Sequence, residues 1–435
     1  MIIKTICILL VTTSLVSYSQ NPTTTTKSAP ILTPVSNPQL AGMSAERLTR
    51  LDETLQKLIK DEKLPGLVAL VARKGKIVYQ KAYGYSNYET KKPERTDDIF
   101  RIASMTKAIT ATAVMMLYEE GKFSLDDPIS KWIPGFAHPG ILDSFIQKDS
   151  TYTVKPAKKE ITIRQLLSHT SGIGYGIIDD ERFRKIYTKA GIWEIATLEK
   201  TSTAENIKRL SLLPIHNEPG EKFIYSMGLD VIGYFIEILS GESFSDYVTN
   251  HIFKPLGMSD TYFYLPESKF DRLVKVHIPD SIKKWNISNP NPQFNYDYPM
   301  IGTKTLCSGG GGLSSTARDY AIFLQMLLNN GVYSGHRFLS RPTVNLLTES
   351  NQVGELLGGE NARTHFSLAF SVINKAGVYA GNGSEGRFSW GGYFNTNYWA
   401  DPKEQILVVL MKQTVGLNDN SEGIFTRMVY QSIDD

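Results

Sequence analysis

The sequence predicts an α+β fold in which one antiparallel sheet, built from the N- and C-terminal parts of the chain, is flanked by helices. Two observations predict it. β-rich runs with turn signals lie near both ends of the chain, whereas helical patterns and Pro-rich or Gly-rich loops fill the middle, with few convincing strands. We therefore expect a mostly helical insertion at about 125–300, and a functional cleft between the two lobes.

The N-terminal residues have the pattern of a secretory signal peptide. MIIKTICILLVTTSLVSYSQ combines one cation, Lys4, with an apolar run from Ile6 to Val16 and small residues before a cleavage point, which we place after Ser19. An uncleaved anchor is the alternative, but this run is shorter than the roughly 20 residues that a membrane-spanning helix needs. We expect residues 1–19 to be removed and the protein to be exported, periplasmic or secreted, without stable membrane insertion.

A flexible linker is predicted between the signal peptide and the folded domain. Residues 20–38 are rich in Thr, Pro and Ser, and such a segment buries too little apolar surface to fold. The folded domain is expected to span residues 39–435.

The first folded elements are a helix and a hairpin. Leucines recur at helical spacing between Ser44 and Ile59, and Ser44 is suited to cap that helix. Two β-rich runs, Gly66 to Ala72 and Lys76 to Tyr83, flank the short turn Arg73-Lys74-Gly75 and predict an antiparallel hairpin.

Later elements follow from the same patterns. Helices are predicted at Ser104 to Glu120, with Gly121 as its C-cap, at Leu229 to Leu239, at Ala317 to Leu328 and near Ile424 to Ile433. The β-rich runs of the C-terminal part are Arg387 to Trp390, Asn395 to Ala400 and Ile406 to Met411.

Composition and charge exclude several classes of function. The 435 residues are 41% hydrophobic and carry a formal net charge of +3, which becomes +2 when Lys4 is removed with the signal peptide. The near-balance of positive and negative charges argues against a nucleic-acid partner, because phosphate binding needs clustered Lys and Arg. The seven histidines show no paired ligand spacing such as H-x-x-x-H, so we expect no metal site.

Cys307 would be the only cysteine left after signal removal, because Cys7 lies within residues 1–19. A single cysteine cannot form an internal disulfide, so the core must supply the stability. Cys307 as a nucleophile is an alternative, but its neighbours Ser308 and Gly309 to Gly312 are more typical of a turn.

The strongest chemical signal is Ser104-Met105-Thr106-Lys107 at a predicted helix start. Residues three apart share a helix face, so the Lys107 amine can reach the Ser104 hydroxyl. A serine hydroxyl is a weak nucleophile until a neighbouring base takes its proton, and burial favours the neutral amine that can do so. The alternative is a simple helix cap with an exposed lysine.

Two further elements support a catalytic interpretation. Tyr225 lies between a turn and a long helix, where a phenol can carry a proton or hydrogen-bond a lysine, although a core tyrosine is the simpler alternative. Trp390-Gly391-Gly392 ends a predicted strand, and its glycines let a substrate or another backbone approach closely, unless they mark a bulge at a sheet edge.

Taken together, these motifs resemble the serine β-lactamase and penicillin-binding-protein superfamily, nearest to the class C-like branch that includes family VIII carboxylesterases. The resemblance runs from about Ser44 to Met411, with its motifs in the expected order. The matching stretches are Phe100 to Lys107, Ile161 to Gly172, Pro219-Gly220 through Tyr225-Ser226, Pro255 to Met258, Gly311 to Asp319, Trp390-Gly391-Gly392 and Asp401-Pro402.

The resemblance implies a β-lactamase/transpeptidase-like fold and a residue role for each motif. Ser104 would be acylated, and Lys107 and Tyr225 would share the base and acid roles. The strand with Trp390, Gly391 and Gly392 would form one wall of the site, and the backbone amides of Ser104 and Tyr393 would form the oxyanion hole. No metal or organic cofactor is implied, and the partner would be a small ester or a peptide-like substrate.

Two departures from the family pattern favour an esterase. Met227 replaces the asparagine of Tyr-x-Asn and cannot donate its hydrogen bond, and Trp390 stands where a cation often meets the carboxylate of a β-lactam or peptide. Both resemble esterase members, in which Tyr-Ser-x-x-x-Asp matches Tyr225, Ser226 and Asp230. The alternatives are a D-amino-acid peptidase or penicillin-binding activity, and a catalytically inactive cell-wall-binding module.

Overall fold

The structure, a computed structural model, describes residues 29–195, 197–280, 284–289, 294–357, 362–381, 383–417 and 419–435. Their strands are β1 Thr33–Pro34, β2 Gly66–Arg73, β3 Lys76–Asn87, β4 Lys92–Pro93, β5 Phe100–Arg101, β6 Gly140–Ile146, β7 Thr151–Pro156, β8 His277–Pro279, β9 Trp285–Ile287, β10 Ser314–Ser315, β11 Val332–Tyr333, β12 His336–Arg337, β13 Thr364–Phe366, β14 Ser371–Ile373, β15 Phe388–Gly391, β16 Asn397–Asp401 and β17 Ile406–Met411.

The α-helices of the same residues are α1 Ala45–Lys60, α2 Thr106–Glu119, α3 Ile163–Leu167, α4 Glu181–Lys189, α5 Thr203–Leu210, α6 Gly228–Ser240, α7 Phe244–Val248, α8 Lys254–Leu256, α9 Tyr298–Ile301, α10 Ala317–Leu328, α11 Arg341–Thr348, α12 Lys375–Tyr379 and α13 Ser421–Gln431. The predicted signal peptide, 1–19, lies outside the described residues. None of the helices described is long and apolar enough to cross a membrane.

Strands from both ends of the chain pair in one sheet, which confirms the predicted α+β fold. In the described part of the chain the sheet has nine strands, ordered β1-β3-β2-β17-β16-β15-β14-β13, with β4 beside β3. Neighbouring strands run antiparallel except β1 and β3, which are parallel. β2 and β17 lie at the centre, where every residue of both is buried.

The two faces of the central strands belong to two cores. Side chains alternate between the faces of a strand, so Leu67 and Val71 of β2 face α1 and α13, whereas Val68 and Leu70 join the larger core that includes α2, α6 and α10. The helix prediction for α1 is confirmed, including its cap: Ser44 accepts a hydrogen bond from the Arg47 amide.

Two sequence expectations differ from the structure. The interval 125–300 contains the hairpins β6–β7 and β8–β9 besides its helices. Every residue of β7 is exposed, so this strand is held by its pairing with β6 and not by burial of an apolar face. The second half of the predicted linker is ordered, because Thr33–Pro34 pairs with β3 and Leu32 is buried.

The helical part of the chain meets the sheet part where α6 packs against α2. Ser104 lies just before α2, and Tyr225 lies three residues before α6. This packing therefore brings two distant motifs to one place.

Candidate active site

Ser104 lies on a tight turn that connects β5 to α2. The turn, Ala103–Met105, is 3-10 helical, and Ala103 has a φ of +41°, which a residue with a side chain rarely adopts. Tertiary hydrogen bonds hold this turn: the Ile102 amide donates to the Leu313 carbonyl at 3.0 Å, and the Leu313 amide donates to Thr106 Oγ1 at 3.1 Å. The Ser104 side chain remains half-buried, whereas its neighbours on the turn are fully buried.

Lys107 is directed at the Ser104 hydroxyl. Its Nζ lies 3.2 Å from Ser104 Oγ and donates a second hydrogen bond to the Gly310 carbonyl at 2.7 Å. The lysine is only 1% exposed, and no salt bridge joins it to a described acidic residue. Its amine is therefore fixed by one side-chain hydroxyl and one backbone carbonyl.

Tyr225 forms the wall of the site beside Lys107. The centre of its ring lies 4.5 Å from Lys107 Nζ, and its hydroxyl accepts a hydrogen bond from Trp390 Nε1 at 3.3 Å. On the other side the His169 ring packs 4.6 Å away, centre to centre. Burial and nearby Lys107 hold the pKa of His169 well below its ordinary value, so this histidine is a neutral packing partner.

The end of β15 approaches the Ser104 turn through glycine. A Cβ on Gly392 would lie 2.4 Å from the Ile102 carbonyl oxygen, so only glycine permits this contact. Tyr393 follows and is 44% exposed. Neither the Ser104 amide nor the Tyr393 amide donates a hydrogen bond to another described residue, so both are available to a substrate oxygen.

The sequence profile of the β-lactamase family matches residues 51–430. The chain belongs to the β-lactamase family. Esterase EstB of Burkholderia gladioli is 28% identical over 381 residues, which cover 85% of this chain and 91% of EstB. Protein Rv1367c of Mycobacterium tuberculosis H37Rv is 31% identical over 366 residues, which cover 80% of this chain and 86% of Rv1367c. A solved structure of EstCE1, described as a hydrolase with promiscuous acyltransferase activity, matches with a TM-score of 0.76 at 26% identity, over 88% of this chain and 98% of EstCE1.

Membership of the β-lactamase family confirms the predicted enzyme class, a serine hydrolase related to β-lactamases and esterases. The structure brings the predicted residues Ser104, Lys107, Tyr225 and Trp390 together, with Gly392 against the Ser104 turn.

Asp230 helps to position Lys107 indirectly, by holding the backbone of Gly310. Its Oδ1 accepts hydrogen bonds from Ser308 Oγ at 2.5 Å and from the Gly310 amide at 3.2 Å. Gly310 is the residue whose carbonyl binds Lys107 Nζ. Burial raises the pKa of Asp230 to about 6 against the opposing effect of Lys107. The Ser308–Gly312 turn thus holds the lysine, a role that its sequence did not reveal.

Tyr175 is a site residue that sequence reasoning missed. Its ring centre lies 5.2 Å from Lys107 Nζ, and burial raises the pKa of its hydroxyl well above the ordinary value. Its amide donates to Asp179 Oδ2 at 2.6 Å, which helps to fix the loop that carries it. The available signal was its position three residues after the family-typical stretch that ends at Gly172.

Glu194 holds the same loop from a largely buried position. One carboxylate oxygen accepts the Ile177 amide at 2.8 Å, whereas the other has no hydrogen-bond partner among the described residues. Burial raises the pKa of Glu194 to about 8, so the carboxyl is mostly protonated at neutral pH. No feature of the local sequence distinguishes it from a surface glutamate.

Replacing Glu194 by Gln is expected to stabilise the protein at alkaline pH. Between the ordinary pKa near 4.5 and the folded pKa near 8, the folded chain binds more protons than the unfolded chain, so the free energy of unfolding falls as pH rises. Gln keeps the acceptor for Ile177 and cannot ionise. Urea denaturation should show a gain on the order of 2 kcal/mol at pH 9 and little change at pH 5.

Glu199→Gln is the matched control, because Glu199 is exposed. This substitution should change the free energy of unfolding only slightly, and by the same amount at pH 5 and pH 9. Equal stability of Glu194→Gln and the wild type at pH 9 would contradict the assignment of a neutral carboxyl.

The surroundings of Cys307 do not favour the alternative in which its thiol is the nucleophile. Cys307 is buried, and burial raises the pKa of its thiol to about 12, so the reactive thiolate is not formed at neutral pH. Among the described residues, no group of three or more His, Cys, Asp or Glu side chains could hold a metal ion.

Proposed function

We propose that this protein hydrolyses small esters through an acyl-enzyme formed on Ser104. The observation that carries the proposal is the Lys107 Nζ–Ser104 Oγ hydrogen bond of 3.2 Å beside the Tyr225 ring. A nucleophile within hydrogen-bond reach of a base, with a second proton carrier next to that base, is an arrangement suited to covalent acyl transfer.

Acylation needs three coordinated groups. The Lys107 amine takes the Ser104 proton as Oγ attacks the ester carbonyl carbon, and the amides of Ser104 and Tyr393 stabilise the resulting oxyanion. When the intermediate collapses, the carbon–oxygen bond to the alcohol breaks and the Tyr225 phenol gives its proton to the leaving oxygen. The Lys107 ammonium then returns a proton to Tyr225.

Deacylation repeats these steps with water as the nucleophile. Water loses a proton to the Lys107 and Tyr225 pair and attacks the acyl carbon, and the proton returns to Ser104 Oγ as the acid leaves. Every proton taken up is thus released within one cycle.

Several observations favour an ester over a β-lactam or a D-peptide. Trp390 places a neutral indole on β15, where it donates to Tyr225 and cannot attract a substrate carboxylate. Met227 is buried, with its amide bonded to the Gly174 carbonyl at 3.0 Å, so it presents no amide to an acyl side chain. The names of EstB and EstCE1 support the same substrate class.

A fluorophosphonate probe tests the nucleophile and separates the alternatives. We expect wild-type protein to be labelled on the peptide that contains Ser104, and Ser104→Ala to remain unlabelled. Labelling by penicillin with release of D-alanine from a muropeptide would replace the esterase proposal by a D-peptidase. No labelling by either reagent would indicate an inactive binding module.

We also propose that the protein is exported, on the strength of the signal-peptide pattern of residues 1–19. Expression in a Gram-negative host should give mature protein in the periplasm or medium whose first residue is Gln20. Retention in the cytoplasm with Met1 intact would contradict export and leave the hydrolase proposal unaffected.

A further inference from the structure

A cavity adjoins the loop that follows Tyr175. It is bounded by Gly176, Ile177, Arg184, Tyr187, Trp193 and Glu194 and has a volume of about 60 Å³. We call it the Arg184 cavity. Because one water needs about 10–15 Å³, this cavity can take a small polar group such as a carboxylate, but not a whole drug-sized ligand. Its first lining residue, Gly176, directly follows Tyr175, whose ring faces Lys107.

The inner walls of the Arg184 cavity are aromatic, apolar and uncharged. Ile177 and Trp193 contribute apolar surface. The Tyr187 hydroxyl is occupied by a hydrogen bond from the Gly174 amide at 3.2 Å. Glu194 adds no negative charge at neutral pH, because burial keeps its carboxyl mostly protonated. An anion that enters the cavity therefore meets no repelling carboxylate on its lining.

Arg184 brings a positive charge to the mouth of the cavity. Its guanidinium is exposed, donates to the Asp179 carbonyl at 3.2 Å, and forms no salt bridge with a described acidic residue. Arg182, two residues earlier on α4, differs in both respects: it pairs with Asp180 at 2.7 Å and does not line the cavity. Arg184 thus keeps donors free for a carboxylate, which a guanidinium can bind with two hydrogen bonds.

We propose that the Arg184 cavity binds a carboxylate-bearing portion of the ester substrate. The proposal rests on the proposed function of Ser104 and defines the substrate class further. In this proposal Arg184 of α4 supplies the positive charge that binds the carboxylate. On β15, by contrast, the site carries the neutral side chain of Trp390. Preferred substrates would be monoesters of dicarboxylic acids, or hydroxy acids that are acylated on the hydroxyl and keep a free carboxylate.

Two matched substrates test the charge requirement. Hydrolysis of 4-nitrophenyl hydrogen glutarate is compared with that of its methyl ester, which has the same chain and no charge. We expect Arg184→Ala to lower kcat/KM for the charged ester about tenfold and to change that for the methyl ester by less than about twofold. Arg182→Ala, the control from the same helix, should leave both values unchanged.

A binding measurement separates this proposal from that of the catalytic mechanism. In Ser104→Ala protein, titration calorimetry with monomethyl glutarate should detect binding that the additional Arg184→Ala change weakens about tenfold. Equal loss of activity on both esters, or binding that is insensitive to Arg184, would overturn the cavity assignment. Absence of ester hydrolysis by the wild type would overturn the proposed function, and the calorimetric result would still decide the ligand class.

Discussion

Ser104→Ala is expected to reduce kcat/KM for 4-nitrophenyl acetate by about 10⁴-fold to 10⁶-fold. The loss is this large because Lys107 has one hydroxyl partner, Ser104, and its other hydrogen bond goes to the Gly310 carbonyl, which cannot act as a nucleophile. Folding should be preserved, since the Ser104 side chain is half-buried and Lys107 is its hydrogen-bond partner. Steady-state kinetics and thermal unfolding monitored by circular dichroism measure both properties.

Ser130→Ala provides the matched control. Ser130 donates to Glu160 Oε1 at 3.1 Å, away from α2, so its removal should leave turnover unchanged. Ester turnover by Ser104→Ala above about one-hundredth of the wild-type rate, with an unchanged melting temperature, would remove Ser104 from the mechanism.

Lys107→Met is expected to reduce kcat/KM by about 10³-fold, because the methionine has a similar length and cannot accept a proton. The change also leaves the Gly310 carbonyl without its lysine donor at 2.7 Å. The free energy of unfolding should therefore fall by about 1–3 kcal/mol. Kinetics and urea denaturation measure the two effects separately.

A positioning role and a base role for Lys107 differ in their response to an added amine. If the lysine is the base, methylamine should restore part of the lost activity of Lys107→Met, with the rate rising as more of the amine is unprotonated. Lys122→Met, which removes an exposed ion pair with Glu120, should show neither the loss nor the rescue. Activity of Lys107→Met that is near wild type would exclude the proposed base.

Sequence patterns were sufficient wherever the decisive contacts are local. The S-x-x-K spacing on one helix face predicts the contact between Ser104 and Lys107, because both residues belong to one short segment. The hairpin β2–β3 and helix α10 follow from alternation, turn residues and helical periodicity, and their bounds agree with the structure to within a few residues. The family motifs placed Tyr225 and Trp390 in the same site.

Patterns failed where a residue gains its role from distant neighbours. Glu194 resembles any glutamate in the sequence, and only the folded loop brings Ile177 to its carboxylate. The sequence pattern identified Gly310 only as part of a turn. Its contact with Lys107 could not be predicted, because 203 residues separate the two in the chain. The pairing of Thr33–Pro34 with β3 was missed for a related reason: two residues carry no periodicity.

The sequence by itself determined the family, the α+β class and the contact between Ser104 and Lys107, since each is encoded in short-range spacing and ordered motifs. Tertiary structure alone decided that Asp230 positions Lys107 through Gly310, that the Tyr175 ring faces the Lys107 amine, and that Arg184 lines a cavity. The physical reason is that hydrogen-bond partners, burial and cavities depend on how α2, α6 and the loops between them pack. No spacing along the chain specifies those distances.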